Sequence, residues 1–328
     1  MNPEKNTFDQ KIFKGLLIQG KLLEGIAYLK EYPEKNALVE KYNDLFREID
    51  PVYGFRMESE AIYNLLKIFH AYYRRVFWEE SDLTEAEKIL YSAIRDVAGI
   101  KQESVIENDN LDALIGDLVN KEGYEYLGGM TSGYYGPYIW KETKPVQYEV
   151  ELPEGIRSLT VNMMDGFVSR SWLDYISFGE TGTGGWANEG GIYCVERLYK
   201  DDLLKPQFQI SFLKHESQHQ ADLERYGDIH TKDLEYRAKL VELIYYPDLS
   251  IFEGLLREAD GENKENAHCY ASYAIVRKLS GKVFEKEYVE DFQLWKEKLP
   301  MIQSCARELL DSHTKSADQR MGNLIDLI

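Results

Sequence analysis

The segment 206–226 constrains this chain more than any other feature, because it opens on a proline, has no helix breaker, and is followed by a glycine. Proline suits the first turn of a helix and glycine suits its end, so we predict one continuous helix here. The helix carries His215, Glu216 and His219 in an H-E-x-x-H pattern. Positions four apart lie on the same helix face, so both imidazoles can bind one ion with the glutamate beside them.

This pattern is typical of a catalytic zinc site. Zinc binds imidazole nitrogen, takes three protein ligands in such sites, and keeps one position for water. It lowers the pKa of that water, and Glu216 can accept the proton and pass it to a leaving amine. The alternative is an exposed helix face that happens to hold two of the chain's six histidines. Because a second helical pattern follows and can supply a third ligand, we predict Zn²⁺ bound by His215 and His219, with Glu216 as the base.

Residues 1–123 form a predicted helical region. Apolar residues recur at spacings of three and four, which predicts about five helices. Thr84 and Glu87 have the spacing of a capping box that opens one of them. Pro51 and the SDLT stretch are predicted breaks between helices.

Residues 124–200 are rich in glycine, tyrosine and β-branched residues, which predicts a mixed sheet of about four strands. The strand-favouring runs are YIWKETKPVQYEVEL, SLTVNMM, WLDYISFG and GGIYCVERLY. The glycine-rich stretch 179–186 lacks the lysine of a phosphate-binding loop and is predicted to be a turn or a mobile flap. Helical patterns resume over 232–328, including HCYASYAIVRKL and VEDFQLWKEKL. The predicted fold is therefore α+β, with a catalytic domain at 124–328.

The motif segment FLKHESQHQA resembles that of the zincin metallopeptidases, with uncharged residues between and just after the histidines and an apolar Ala221. The resemblance implies a zincin-like domain in which a sheet packs on the metal helix and C-terminal helices close the cleft. In gluzincin-like members the third ligand is a glutamate from the next helix, and Glu235 has that location here, with Ala238 leaving room for the metal helix. Metzincin-like members have a histidine where this chain has Arg225, and a glycine where it has Asp222.

Other residues compete with Glu235 as third ligand. Asp222 lies three residues after His219, but a hydrogen bond that orients a histidine is its more typical role. Glu242 and His230 are also candidates, and the sequence favours surface positions for both. Cys194 is a candidate ligand in a deformylase-like arrangement, but the glycine and cysteine motifs of that family are missing, so the sequence favours a buried apolar cysteine.

An oxyanion that forms during hydrolysis needs a donor from outside the metal helix. The candidates are His268, Tyr270 and Tyr273, on a helix that forms the far wall of the cleft in similar enzymes; a packed aromatic helix is the alternative. Tyr193 and the GGWANEGG strand are candidates for the cleft's edge, where an extended peptide can add by main-chain pairing.

Composition limits the partners and the compartment. The formal net charge of −18, from 57 acidic and 39 basic residues, repels nucleic acid. Three widely spaced cysteines do not form a disulfide framework, which favours a reducing compartment. The chain shows no signal peptide or membrane-spanning run, so we expect a cytoplasmic protein without a membrane partner.

The sequence therefore predicts a zinc metallopeptidase that acts on a peptide or protein substrate, and it leaves the oligomeric state open. One alternative is a zinc amidohydrolase that acts on a small amide. Another is a non-catalytic, zincin-like interaction protein whose helical half is the working surface; a purely structural metal site, however, has no need of the base Glu216.

Overall fold

A computed structural model describes residues 7–47, 59–99, 108–188, 191–200, 202–264 and 266–328. The predicted helix break at Pro51 lies outside these residues. The chain divides into two compact units: the first comprises Met1–Glu142 and Asp165–Thr183, and the second comprises Thr143–Met164 and Gly184–Ile328. The fold is mixed α+β, with several small sheets.

The α-helices of the described residues are α1 (Gln10–Ile18), α2 (Leu22–Lys30), α3 (Asn36–Arg47), α4 (Glu60–Tyr73), α5 (Leu83–Val97), α6 (Asn108–Lys121), α7 (Ser171–Ile176), α8 (Pro206–Phe208), α9 (His215–Tyr226), α10 (Thr231–Tyr245), α11 (Ser250–Glu258), α12 (Ala267–Phe284) and α13 (Leu299–Asp318). Two π-helical segments also occur: Arg74–Trp78 continues α4, and Gln209–Lys214 joins α8 to α9.

The strands are β1 (Glu125–Leu127), β2 (Met130–Thr131), β3 (Tyr134–Tyr135), β4 (Tyr138–Trp140), β5 (Glu142–Leu152), β6 (Gly155–Asp165), β7 (Ser169–Arg170), β8 (Gly185–Asn188) and β9 (Gly191–Val195). They form a three-stranded sheet in the order β1-β4-β7, a pair β2-β3, and a four-stranded sheet in the order β5-β6-β9-β8. The single predicted sheet over 124–200 is thus three separate sheets.

The first unit is a helical core that also includes a small sheet. Ile139 of β4 and Trp172 and Ile176 of α7 are fully buried among the apolar side chains of the N-terminal helices. The predicted boundary between residues 123 and 124 therefore differs from the division observed, because these later residues complete the core of the first unit.

Two local predictions in the first unit need correction. The run WLDYISFG was predicted as a strand, but most of it forms α7, in which Trp172 and Ile176 lie four apart and are buried on the same side. The predicted capping box at Thr84 and Glu87 is not the start of its helix. The carboxylate of Asp82 caps α5 instead, by accepting a hydrogen bond of 3.0 Å from the Glu85 amide.

The four-stranded sheet of the second unit is mixed. Strand β6 runs parallel to β9, and β8 runs antiparallel to β9. Pro145 lies in β5, at one end of the strand order, where a residue without an N–H group is tolerated. Strands β8 and β9 lie next to α9, and α10 packs against α9, α12 and α13. The sheet and these helices share one apolar core.

The C-terminal helices follow the predicted pattern in α10 and α12 but not in VEDFQLWKEKL. That segment contains only a 3-10 turn, Phe292–Trp295. Asp291 caps the turn by accepting from the Gln293 amide, and the buried Trp295 indole donates to the carbonyl of Val289. These hydrogen bonds stabilise a non-helical conformation of the segment, and α13 begins at its last residue, Leu299. None of the helices in the described part of the chain is long and apolar enough to cross a bilayer.

Candidate metal centre

The helix that carries the motif has the predicted extent but not a uniform geometry. It begins at Pro206, and Gly227, with φ of +70°, ends it in a conformation that favours glycine. A π-helical segment immediately precedes His215, and such segments are frequent at functional sites. The neighbouring Ala238 of α10 is completely buried, which is consistent with its predicted role in leaving room for α9.

The structure brings His215, His219 and Glu235 together. One possible ligand atom from each of the three lies within 4.8 Å of the others. The Nε2 atoms of the two histidines are 3.0 Å apart, and Nε2 of His219 lies 3.3 Å from Oε1 of Glu235. Nε2 of His215 lies 3.6 Å from the other oxygen of Glu235. Each of the three side chains is 12% exposed, so the group is shielded but reachable from solvent.

These distances fit a tetrahedral zinc ion. Two nitrogens that are each about 2.05 Å from a tetrahedral zinc lie roughly 3.3 Å apart. The 3.0 Å between the two Nε2 atoms and the 3.3 Å from His219 to Oε1 of Glu235 are close to that value, and the 3.6 Å from His215 is to the other oxygen of Glu235. Two imidazoles and a carboxylate are also a donor set typical of catalytic zinc. The three residues could therefore hold one ion between them.

Glu242 contacts the opposite side of the His215 ring. Its Oε1 lies 2.6 Å from Nδ1 of His215, and Glu242 is buried, whereas the sequence favoured a surface position. Seven residues separate Glu242 from Glu235, so both lie on the face of α10 that meets α9. A carboxylate in this position fixes the tautomer and orientation of a metal-binding histidine. Sequence reasoning missed this role, although the seven-residue spacing is a signal for it.

The carboxylates around the two histidines attract positive charge. Burial alone would lower the pKa of His215, but Glu242, Glu235 and Glu216 outweigh it and raise that pKa to about 9. Burial would raise the pKa of Glu235, and His219, His268 and His215 instead hold it well below its usual range. The site thus favours a proton or a metal cation between these groups, and metal binding would displace the proton.

Glu216 occupies the first turn of α9 and is half-buried. Its charge reaches the strand side of the helix: burial raises the pKa of the Cys194 thiol, and the carboxylates of Glu196 and Glu216 raise it further. Cys194 itself is fully buried in β9, as the sequence predicted. The predicted base Glu216 therefore directly follows His215 in α9.

Asp222 and His230 have partners other than His215 and His219. Asp222 accepts from Nε of Arg237 at 2.8 Å and from Nε2 of Gln218 at 2.9 Å. The sequence predicted that Asp222 accepts a hydrogen bond from a histidine, and the structure instead shows a buried ion pair with Arg237. His230 is the N-cap of α10, where its Nδ1 accepts from the Lys232 amide at 3.3 Å.

The three proposed oxyanion donors separate into two groups. His268, in the first turn of α12, places Nδ1 2.9 Å from Oε2 of Glu235, and its side chain is 57% exposed. It is therefore next to Glu235 and open to solvent. Tyr270 and Tyr273 line a cavity of about 510 Å³ between α12 and the C-terminal residues Leu327 and Ile328, and Tyr273 stacks on Tyr288. Of these three, His268 is the one that contacts a candidate ligand in the part of the protein that the structure describes.

Strand β8 supplies one edge of the four-stranded sheet beside α9. Its Trp186 stacks on Tyr193 of β9, with ring centroids 5.7 Å apart. A side chain at Gly185 would collide with the Tyr193 carbonyl and the Phe212 ring, so glycine is required where β8 approaches the metal helix. The glycine-rich stretch before β8 forms turns.

No family model, curated protein or solved structure matches this chain. Functional inference therefore depends on the residues of the site and on their geometry.

Proposed function

We propose that this protein is a zinc-dependent hydrolase of the zincin type, and specifically a gluzincin-like metallopeptidase. The proposal rests on the convergence of His215, His219 and Glu235 within 4.8 Å, with Glu216 next to the first histidine. The three ligands would hold the ion through the two Nε2 atoms and the carboxylate. Zinc bound there would supply a water of lowered pKa and a Lewis acid for the substrate carbonyl.

The protein's own groups have distinct tasks in this proposal. Glu216 accepts the proton of the attacking water and delivers it to the leaving amine. Glu242 holds His215 through Nδ1, which leaves Nε2 for the metal. His268 donates to the developing oxyanion from the solvent-exposed side of Glu235.

The edge strand favours a peptide over a small amide as substrate. Strand β8 is at the end of the sheet order and lies next to α9. An extended peptide could pair with that edge and present its main-chain carbonyl to the site. The acidic balance of the chain does not oppose a neutral or basic peptide.

The decisive experiment is measurement of metal content by mass spectrometry on protein purified without a polyhistidine tag. Wild type should contain about one zinc per chain, in keeping with a single three-ligand site. His219→Ala should lose it, and Glu235→Gln should retain less. His230→Ala is the matched control, because it removes a histidine whose ring accepts from the Lys232 amide at the start of α10. Wild type that binds no zinc after incubation at neutral pH would eliminate the enzyme proposal and direct attention to the helical first unit as an interaction surface.

A further inference from the structure

A buried chain of polar contacts begins at Gln218, between the two motif histidines, and continues to the C-terminal segment 323–328. Gln218 donates to Asp222, and Asp222 accepts from Nε of Arg237. Arg237 is completely buried, and Asp222 is 1% exposed. Because a charge buried without a partner is costly, each of these groups depends on the next one for its stability.

The series of polar contacts continues from Arg237 to residues of α13. The NH1 group of Arg237 donates to Oγ1 of Thr314 at 2.8 Å and lies 3.4 Å from Nδ1 of His313. The other ring nitrogen of His313 lies 2.8 Å from Oδ1 of Asp233, which is completely buried. The arrangement fits a neutral ring that donates to Asp233 and accepts from Arg237. Burial also lowers the pKa of His313, which favours the neutral form.

The last link is a backbone amide. The N–H group of Leu327 donates to both carboxylate oxygens of Asp233, at 3.1 and 3.2 Å. Ile325 is completely buried, and its carbonyl accepts from the His230 amide. The segment 323–328 is therefore fixed to the start of α10 by main-chain bonds.

The position of this chain of contacts connects it to the metal centre. Asp222 is three residues beyond His219 on α9, and Arg237 is two residues beyond Glu235 on α10. The ion pair thus joins the two ligand-bearing helices within one turn of the ligands themselves. The separation between the histidine ligands and Glu235 depends on how these helices are held together.

We propose that Arg237 and the segment 323–328 are positioning elements for the metal centre, acting through Asp233, His313 and Asp222 on the packing of α9 against α10. The proposal rests on the proposed zinc site. When the Leu327 amide is removed, Asp233 loses the two hydrogen bonds that it accepts from that N–H group. Asp233 then fixes His313 less firmly, and His313 fixes Arg237 less firmly. As a result, α9 moves more freely relative to α10. A coupling of this kind changes ligand affinity by roughly two- to thirtyfold.

The test compares Leu327→Pro, which removes the amide donor, with Leu327→Ala, which shortens the side chain but keeps the amide. Two quantities are measured: the zinc dissociation constant, by competition with a chelator, and amide hydrogen exchange of α9 in the metal-free protein. Leu327→Pro should weaken zinc binding at least threefold and speed α9 exchange roughly tenfold, and Leu327→Ala should change neither. Arg237→Lys, which keeps the charge but loses the forked geometry, should weaken zinc binding about tenfold.

Equal zinc affinity and equal α9 exchange in Leu327→Pro and Leu327→Ala would overturn the proposal. So would a uniform rise in exchange over α10, α12 and α13 with unchanged zinc affinity, because that pattern indicates a general structural role. If wild type binds no zinc, the proposed function fails and the role at a metal centre fails with it, while α9 exchange still decides whether the segment 323–328 controls the packing of α9 against α10. Should Leu327→Pro not fold, Arg237→Lys decides by the same two measurements.

Discussion

Oε1 of Glu242 lies 2.6 Å from Nδ1 of His215, on the side of the imidazole opposite the nitrogen that faces His219. His219 differs, because its Nδ1 is buried and has no hydrogen-bond partner among the described residues. The two predicted ligands are therefore held differently: His215 is oriented by a carboxylate of α10, and His219 by its position in α9. Metal affinity should accordingly depend strongly on Glu242.

Glu242→Gln preserves the size of the side chain and removes its charge. We expect zinc affinity to fall roughly tenfold, because the amide orients His215 less firmly and no longer makes its ring a stronger electron donor. Competition with a chromophoric chelator measures the change. Glu262→Gln, an exposed glutamate after α11, is the control and should match wild type. Equal affinity in all three proteins would mean that the Glu242 contact does not support the metal.

Glu216→Gln should separate metal binding from catalysis. Zinc content should stay at the wild-type level, since Glu216 is not among the three ligands. Hydrolysis of a quenched fluorescent peptide library should fall roughly 10²- to 10⁴-fold, because the water loses its proton acceptor. Glu224→Gln lies on the same helix, where the glutamate pairs with Arg157 at the surface, and should keep full activity. Undiminished hydrolysis by Glu216→Gln would require a different base.

Zinc should stabilise the second unit, because the ligands come from two helices that unfolding separates. With free zinc at 100 times its dissociation constant, the added stability is about 2.7 kcal/mol. For a unit of this size, that corresponds to a rise in melting temperature of roughly 5–10 °C. Differential scanning calorimetry with zinc and with a chelator measures the difference. His219→Ala should show no zinc-dependent shift, and a shift that persists in this variant would place the ion elsewhere.

The sequence predicted that His215, His219 and Glu235 lie close together, as the structure places them, because helix periodicity relates spacing directly to direction. His215 and His219 are one turn apart on any helix, and Glu235 is on the next helix that could face them. Glu242 and Arg237 could not be assigned in the same way. Whether Glu242 is buried against His215, and whether Arg237 pairs with Asp222, depends on how α10 packs on α9.

The fold was predictable where a pattern is local and less so where contacts are distant. The breaker-free segment 206–226 indicated the metal helix correctly, but the π-helical segment Gln209–Lys214 had no signal in its composition. The WLDYISFG run has strand-favouring residues, yet burial of Trp172 and Ile176 in the helical core makes it a helix. The same burial moves the boundary of the first unit far beyond residue 123, through contacts between residues distant in sequence.

The first unit should lose stability in acid through His70. This histidine of α4 is buried against the Tyr175 ring, with centroids 3.9 Å apart, and burial lowers its pKa from 6.5 to about 3. The folded form therefore resists a proton that the unfolded chain accepts. The contribution of His70 to the free energy of unfolding is complete above pH 6.5. It is lost as the pH falls from 6.5 toward 3, by about 1.4 kcal/mol per pH unit.

Comparison of wild type with a variant that lacks the imidazole separates the effect of His70 protonation from that of the many carboxylates, which titrate in both proteins. Urea unfolding of wild type and His70→Gln is compared at intervals between pH 7 and pH 4, with circular dichroism as the probe. The variant has no imidazole to protonate, so the wild-type advantage in unfolding free energy should shrink as the pH falls. The slope of the difference should approach that of one proton below pH 6. A difference that stays constant over this range would mean that His70 is protonated in the folded protein or does not titrate on unfolding.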